Sequence, residues 1–167
     1  MTWTLDNLEL QPDGTFKAKA NQKTAGSTQV IKYDVLIGID TGKETGFATY
    51  STVSRKLLTV ETLPIHQAME RVLSISKTFK IKVRFEDARL RKVFGETGRE
   101  VLQGAGSIKR DAVIWEDFLT DKAIPFEPVA PKDNKTKLEP STFSKMTGWT
   151  GRTSNHARDA AMLVYGY

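Results

Sequence analysis

Five consecutive residues, Val35-Leu36-Ile37-Gly38-Ile39, are apolar or glycine and stop abruptly at Asp40. A strand with one wet face alternates apolar and polar residues, whereas an unbroken apolar run suits a central strand covered on both faces. Any fold for this chain must therefore lay structure on both sides of a sheet. The aspartate that ends the run is costly to bury unless it is paired, ligates a metal or reaches solvent. Gly42 and Gly46 follow it, so the turn after the strand can lie close to a ligand.

The rest of the chain supplies the layers. Gly46 to Tyr50 reads as a second strand and Lys56 to Thr62 as a third, with connections short enough for an antiparallel meander. Pro64 opens a helix that carries Ile65, Met69, Val72, Leu73 and Ser76 along one face. Ile81 to Phe85 alternates as a fourth strand. Ser107 to Leu119 is predicted to be an amphipathic helix with Ile108, Ala112, Trp115 and Leu119 on its apolar side. Pro125 to Val129 is a short fifth strand whose prolines place it at an edge. Asn155 to Tyr165 is the last helix, with Ala157, Ala160, Ala161, Leu163 and Val164 inward. This order predicts an α/β fold, a five-stranded mixed sheet with helices on both faces.

Residues 1–32 differ in character. Thr15 to Lys19 suits a short strand after the turn signal Pro12-Asp13-Gly14, and Asn21 to Gln29 reads as a linker. We expect an N-terminal arm over 1–32 and one domain over 33–167, a length normal for a single core. No run of about 18 apolar residues predicts a membrane span, and no basic-then-apolar start predicts a signal peptide. The chain has no cysteine, which removes disulfides, thiol catalysis and thiolate zinc sites, and agrees with a cytoplasmic location.

A net charge of +5 biases the protein towards polyanions. The bias is local: residues 77–110 hold ten lysines and arginines against four acids. Arg89, Arg91, Lys92, Lys135 and Lys137 are the candidate phosphate contacts.

Three acids stand out by position. Asp40 and Glu86 each end a strand, and Asp159 lies in the last helix three residues after His156, a spacing that puts both on one helical face. Asp87, beside Glu86, points to the opposite side of its strand, while Arg84 shares the Glu86 side. Arg158, next to Asp159, is placed to pair with an acid. Taken singly, each acid also fits a cap, a surface ion pair or a solvated helix face. Together, acids gathered at one end of a sheet repel unless cations bind them. Magnesium prefers hard oxygen ligands plus water and phosphate. Two such ions about 4 Å apart activate a water and stabilise the leaving oxygen in phosphodiester cleavage. The expected cofactor is therefore Mg2+, two ions per site, with Mn2+ able to substitute.

Ile37-Gly38-Ile39-Asp40-Thr41-Gly42 resembles the first motif of the RuvC-type Holliday junction resolvases, members of the ribonuclease-H-like superfamily. Val83-Arg84-Phe85-Glu86 is similar to their second. Gly104-Ala105-Gly106 with the following helix, Ile124 to Pro128, the basic turn Lys132 to Lys137, and His156-Ala157-Arg158-Asp159-Ala160-Ala161 follow in the family's order. The resemblance spans about residues 34–166. It implies a ribonuclease-H-like fold, a catalytic and metal-binding set of Asp40, Glu86, His156 and Asp159, and a homodimer that cuts two opposing strands of branched DNA. Arg89 stands where the family often carries an aromatic residue after the second motif. Other nucleases of the superfamily, acting on flaps, hybrids or transposon ends, share the acids. An actin-like ATPase also uses a strand followed by Asp-x-Gly, but a Walker-type loop is absent here. A DNA-binding module with a dead site is the third alternative, and the complete acid set argues against it.

Overall fold

The computed structural model describes residues 8–10, 16–18, 32–90 and 99–167, with side chains over 32–90 and 109–167. The chain divides into two units, 1–31 and 32–167. In the first, β1 (Leu8–Leu10) pairs antiparallel with β2 (Phe16–Ala18), so the strand expected near Phe16 belongs to a small hairpin. The linker expected over 21–29, and Arg91 and Lys92, lie outside the described residues.

The second unit is built on β3 (Val35–Asp40), β4 (Glu44–Ser51), β5 (Lys56–Pro64), β6 (Ile81–Glu86) and β7 (Phe126–Val129). Their order across the sheet is β5-β4-β3-β6-β7. β3 is central, antiparallel to β4 and parallel to β6, while β7 extends the parallel side. A three-strand meander continued by two parallel strands on the other side of the first is the ribonuclease-H-like arrangement. The proline-bearing β7 is an edge strand, where a missing ladder donor is tolerated.

Both faces of the sheet are covered, as the apolar run in β3 requires. Odd-numbered residues of β3 and β6 (Ile37, Ile39, Val83, Phe85) pack with α1 (Ile65–Ser76) and α2 (Arg99–Asp121) through Ala68, Val72, Ala112, Trp115 and Leu119. On the opposite face, Ala48 and Val60 meet α3 (Pro140–Thr147) and α4 (Asn155–Met162) through Phe143, Ala157, Ala160 and Ala161. Among the described residues no helix is long and apolar enough to cross a membrane.

The helices differ from the sequence-based expectation in three ways. α2 begins at Arg99 rather than Ser107, so Gly104 and Gly106 lie inside the helix and not ahead of it. Each glycine costs about 1 kcal/mol relative to alanine in a helix interior, a penalty that a helix of this length and buried face tolerates. α4 ends at Met162, and Leu163 to Gly166 continue as turns. α3 was not anticipated: it is a short helix with Pro140 in its first turn, Phe143 as its buried residue, and Gly148 closing it at φ +72°.

One contact governs how close α4 comes. A Cβ on Gly38 of β3 would lie 2.0 Å from the Ala160 carbonyl oxygen, and a Cβ on Gly46 of β4 would lie 2.0 Å from that of His156. The helix backbone therefore rests directly on the strand backbone at two points about one turn apart, and any side chain there pushes it off. Gly42, by contrast, has no outside atom nearer than 3.6 Å. Gly38→Ala is expected to lower unfolding free energy by about 3 kcal/mol or more, as overpacking against immovable backbone does. Gly42→Ala is expected to stay within about 0.5 kcal/mol of wild type. Urea unfolding of both variants checks the contrast; equal midpoints would remove the backbone contact from the account.

Candidate active site

The docking of α4 on β3 and β4 decides which functional groups meet. β3 and β6 run parallel, and the last registered pair is Ile39 with Phe85. Asp40 and Glu86 are the next residues on each strand, so the two carboxylates leave the sheet at the same end. The Thr41 hydroxyl donates to the Glu86 carbonyl at 3.0 Å and ties the two strand ends together. Opposite Asp40 on β4 sits Gly46, the residue on which the His156 carbonyl rests. The first turn of α4 is thereby set over Asp40, and His156 Nδ1 lies 2.7 Å from Asp40 Oδ2.

The start of α4 is fixed by its own residues. Ser154 caps the helix by accepting from the Ala157 N–H at 3.0 Å, and its hydroxyl meets Thr62 of β5 at 2.5 Å. Such a cap is worth about 1 kcal/mol. Arg158 is buried, and its role differs from the acid pairing expected of it. Its Nε donates to the Leu138 carbonyl at 2.7 Å, its Nη1 to the Thr153 carbonyl and hydroxyl at 3.0 Å, and its Nη2 to the Asn155 side chain. This guanidinium straps the 138 loop to the helix start.

The same loop grips Asp159. Lys137 adopts φ +58°, a left-handed conformation that non-glycine residues seldom take. In that conformation its N–H donates to Asp159 Oδ1 at 2.8 Å. Local strain of this kind, held by surrounding contacts, is found at functional sites. Lys135 and Lys137, on this loop, are exposed. Asn134, which the sequence reading did not single out, donates from Nδ2 to the Asp159 carbonyl at 3.1 Å and approaches Glu86 Oε2 at 3.5 Å.

Three cations of the basic stretch, Lys82, Arg84 and Arg89, are engaged within the fold. Arg89 makes a two-pronged contact with the buried Asp87 and also pairs with Glu116 of α2, so its guanidinium is held by protein carboxylates. These contacts account for Asp87, whose carboxyl Arg89 holds below the ordinary aspartate range against the opposing effect of burial. Lys82 and Arg84 pair with Glu127, and Arg84 stacks over the Tyr167 ring at 3.9 Å. Arg84 thus shares the Glu86 side of β6, as alternation requires, but its ion pair is with Glu127.

Electrostatics link the acids. Burial pushes the Asp40 carboxyl up to about 6; the His156 hydrogen bond opposes the rise, and the charges of Glu86 and Asp159 add to it. Among the described residues, no three of the acidic and imidazole groups converge into a ready-made cage for a metal. The donors are nevertheless all hard oxygens apart from the imidazole, and they repel. Magnesium is held through one or two carboxylates while keeping several waters, so it needs no closed cage. The donor chemistry fits a hydrated divalent cation, with Asp40, Glu86 and Asp159 as its carboxylates. His156, with Nδ1 turned to Asp40, has Nε2 as its second ring nitrogen.

No protein-family model matches this chain, and no curated protein does. Among solved structures, T. thermophilus RuvC in complex with a Holliday junction substrate is similar, with 18% sequence identity and a TM-score of 0.49. The match covers 77% of this chain and 89% of that one.

The raised Asp40 value has a stability consequence. An acid with a folded-state value above its unfolded one favours the fold most when protonated. That contribution is complete below 3.8 and is lost as pH rises through about 6. Asp40→Asn removes the charge and should stabilise the chelator-treated protein at neutral pH by up to about 3 kcal/mol. The gain should fade as pH drops through the same window. Urea midpoints of variant and wild type across that window check this, and a gain independent of pH would contradict it.

Proposed function

We propose that this protein is a magnesium-dependent, structure-selective endonuclease that cleaves four-way DNA junctions by two-metal phosphodiester hydrolysis, working as a homodimer. The observation that carries the reading is the meeting of Asp40 from β3, Glu86 from β6 and Asp159 from α4 in one electrostatically coupled group, with His156 bonded to Asp40. A structural protein gains nothing from gathering repelling carboxylates at a partly open sheet end, whereas a phosphodiesterase needs them to hold cations against its substrate. The ordered motifs around these residues, similar to those of RuvC-type resolvases, narrow the substrate to branched DNA. Two opposing strands of a junction require two such sites, which a homodimer supplies.

Asp40, Glu86 and Asp159 would hold the cations. When bound, Mg2+ stabilises negative charge on the phosphoryl oxygens and eases ionisation of a water. The chain's own residues do the rest. Asp40 accepts from His156 Nδ1, which orients the ring and leaves Nε2 to take a proton from the attacking water. Lys135 and Lys137, exposed on the loop whose residue 137 binds Asp159 through its backbone, neutralise phosphates and hold the backbone in place.

Incubation of the protein with a synthetic four-way junction beside a matched linear duplex, with and without magnesium, tests this directly. Paired nicks in the junction that require magnesium are expected. Preferential cutting of flaps or hybrids would move the substrate to another nuclease class of the same fold, and no cutting of any DNA would overturn the enzyme. Asp40→Asn is expected to abolish cleavage while retaining junction binding, in an assay that measures both on one preparation. His156→Ala should slow cleavage by about a hundredfold or more, the usual contribution of a positioned acid–base group. Alanine at both Lys135 and Lys137 should flatten the log–log salt dependence of binding by about 1.8, at roughly 0.9 per phosphate contact. An unchanged slope would assign both lysines to solvated surface.

A further inference from the structure

Resting on the nuclease reading above, we infer that Asn134 is a positioning residue of the active site, the side chain that sets the Glu86 carboxylate against the α4 backbone at Asp159. Asn134 follows the 3-10 turn Pro131–Asp133 and lies three residues before the left-handed Lys137. Its Nδ2 donates to the Asp159 carbonyl at 3.1 Å and lies 3.5 Å from Glu86 Oε2. One amide nitrogen thus reaches both a strand-end acid and the helix that carries another acid.

The orientation of that amide is determined by its neighbours. Exchanging its oxygen and nitrogen would set Oδ1 against a carbonyl oxygen and a carboxylate oxygen, neither of which donates. The nitrogen must therefore face the acids. Oδ1 is then buried and makes no hydrogen bond among the described residues. Proteins rarely leave a buried acceptor unused, and such groups concentrate where function requires the arrangement. The residue type fits the place. An aspartate would add another negative charge to a group whose repulsion already helps raise Asp40. A serine is too short to span two elements. A leucine has nearly the same shape and no donor.

The loop makes the position rigid. Lys137 N–H holds Asp159 Oδ1 from one side, and Arg158 holds the Leu138 carbonyl from the other. Asn134 therefore reports to Glu86 where α4 lies. Without it, Glu86 and Asp159 remain in the fold but lose their common reference, and a cation shared between them is held less well. Groups that orient metal-binding carboxylates typically change metal affinity or activity by about ten- to a hundredfold when removed.

The test compares wild type with Asn134→Leu and Asn134→Ala. Three quantities are measured: Mn2+ binding by electron paramagnetic resonance, single-turnover cleavage of a four-way junction, and the urea midpoint. Both variants are expected to bind Mn2+ about tenfold more weakly or worse and to cleave slower by a similar factor, with junction binding in chelator unchanged. Asn134→Leu keeps the side-chain volume, so it decides the matter if Asn134→Ala does not fold. Wild-type Mn2+ affinity in the folded variants would overturn the inference, whatever happens to their urea midpoints, because a merely structural asparagine changes stability and not affinity. If wild type itself binds no Mn2+ and cuts no DNA, the nuclease reading falls and takes this inference with it. If wild type does both and the variants match it, only the role of Asn134 is lost.

Discussion

Backbone resting on backbone is the constraint from which the rest of this structure follows. At Gly38 and Gly46 the sheet has no side chains to hold α4 away, and the carbonyls of Ala160 and His156 occupy the space a Cβ would take. A helix seated that low brings its polar first turn level with the end of β3. His156 then reaches Asp40, and Asp159 comes within electrostatic range of it. The small residues Ala157, Ala160 and Ala161 on the buried side of α4 complete the fit from the helix side. Packing and chemistry are here one arrangement: the residues that let the layers touch are interleaved with those that carry charge.

The arrangement opposes stability in one place and is secured in others. Asp40 is largely buried among like charges, and its carboxyl resists ionisation. Against this stand the Ser154 cap, the buried Arg158 with its carbonyl acceptors, and the Lys137 N–H on Asp159. On the far side of β6, Asp87, Arg89 and Glu116 lock the turn after Glu86 onto α2. The glutamate is therefore held from two sides of the sheet, by a loop over one face and by an ion-pair cluster on the other. Such opposition between local repulsion and surrounding support is common where function asks for an arrangement that folding alone would not choose.

Much of this was legible in the residues, and the exceptions have a common cause. The apolar run ending at Asp40 announced a central strand with layers on both sides, because continuous burial admits few other readings. Alternation in Ile81 to Phe85 assigned Glu86 and Asp87 to opposite faces, and the spacing of His156 and Asp159 put both on one side of a helix. What escaped depends on contacts between segments far apart in the chain. Gly46 looked like a turn residue near a ligand, but its neighbour is a helix carbonyl from residue 156. The pairing of Arg89 with Glu116 was likewise hidden, because the two lie 27 residues apart. Asn134 had no local pattern at all: its importance lies in touching Glu86 and Asp159, which the chain alone does not bring together. The α3 helix was a local miss of another kind, since Pro140 and Gly148 bracket it with recognisable start and stop signals.

The central claim is that α4 and the two strand ends form one coupled group of charges. Carbon-detected nuclear magnetic resonance of the aspartate and glutamate carboxyls, titrated in chelator, reads that coupling without reference to any substrate. The account expects Asp40 to titrate near 6 in wild type and to fall when Asp159→Asn or Glu86→Gln removes a neighbouring charge, more for Glu86→Gln, while burial keeps it above its ordinary value in both. An Asp40 carboxyl that titrates near 3.8, indifferent to both substitutions, would contradict it.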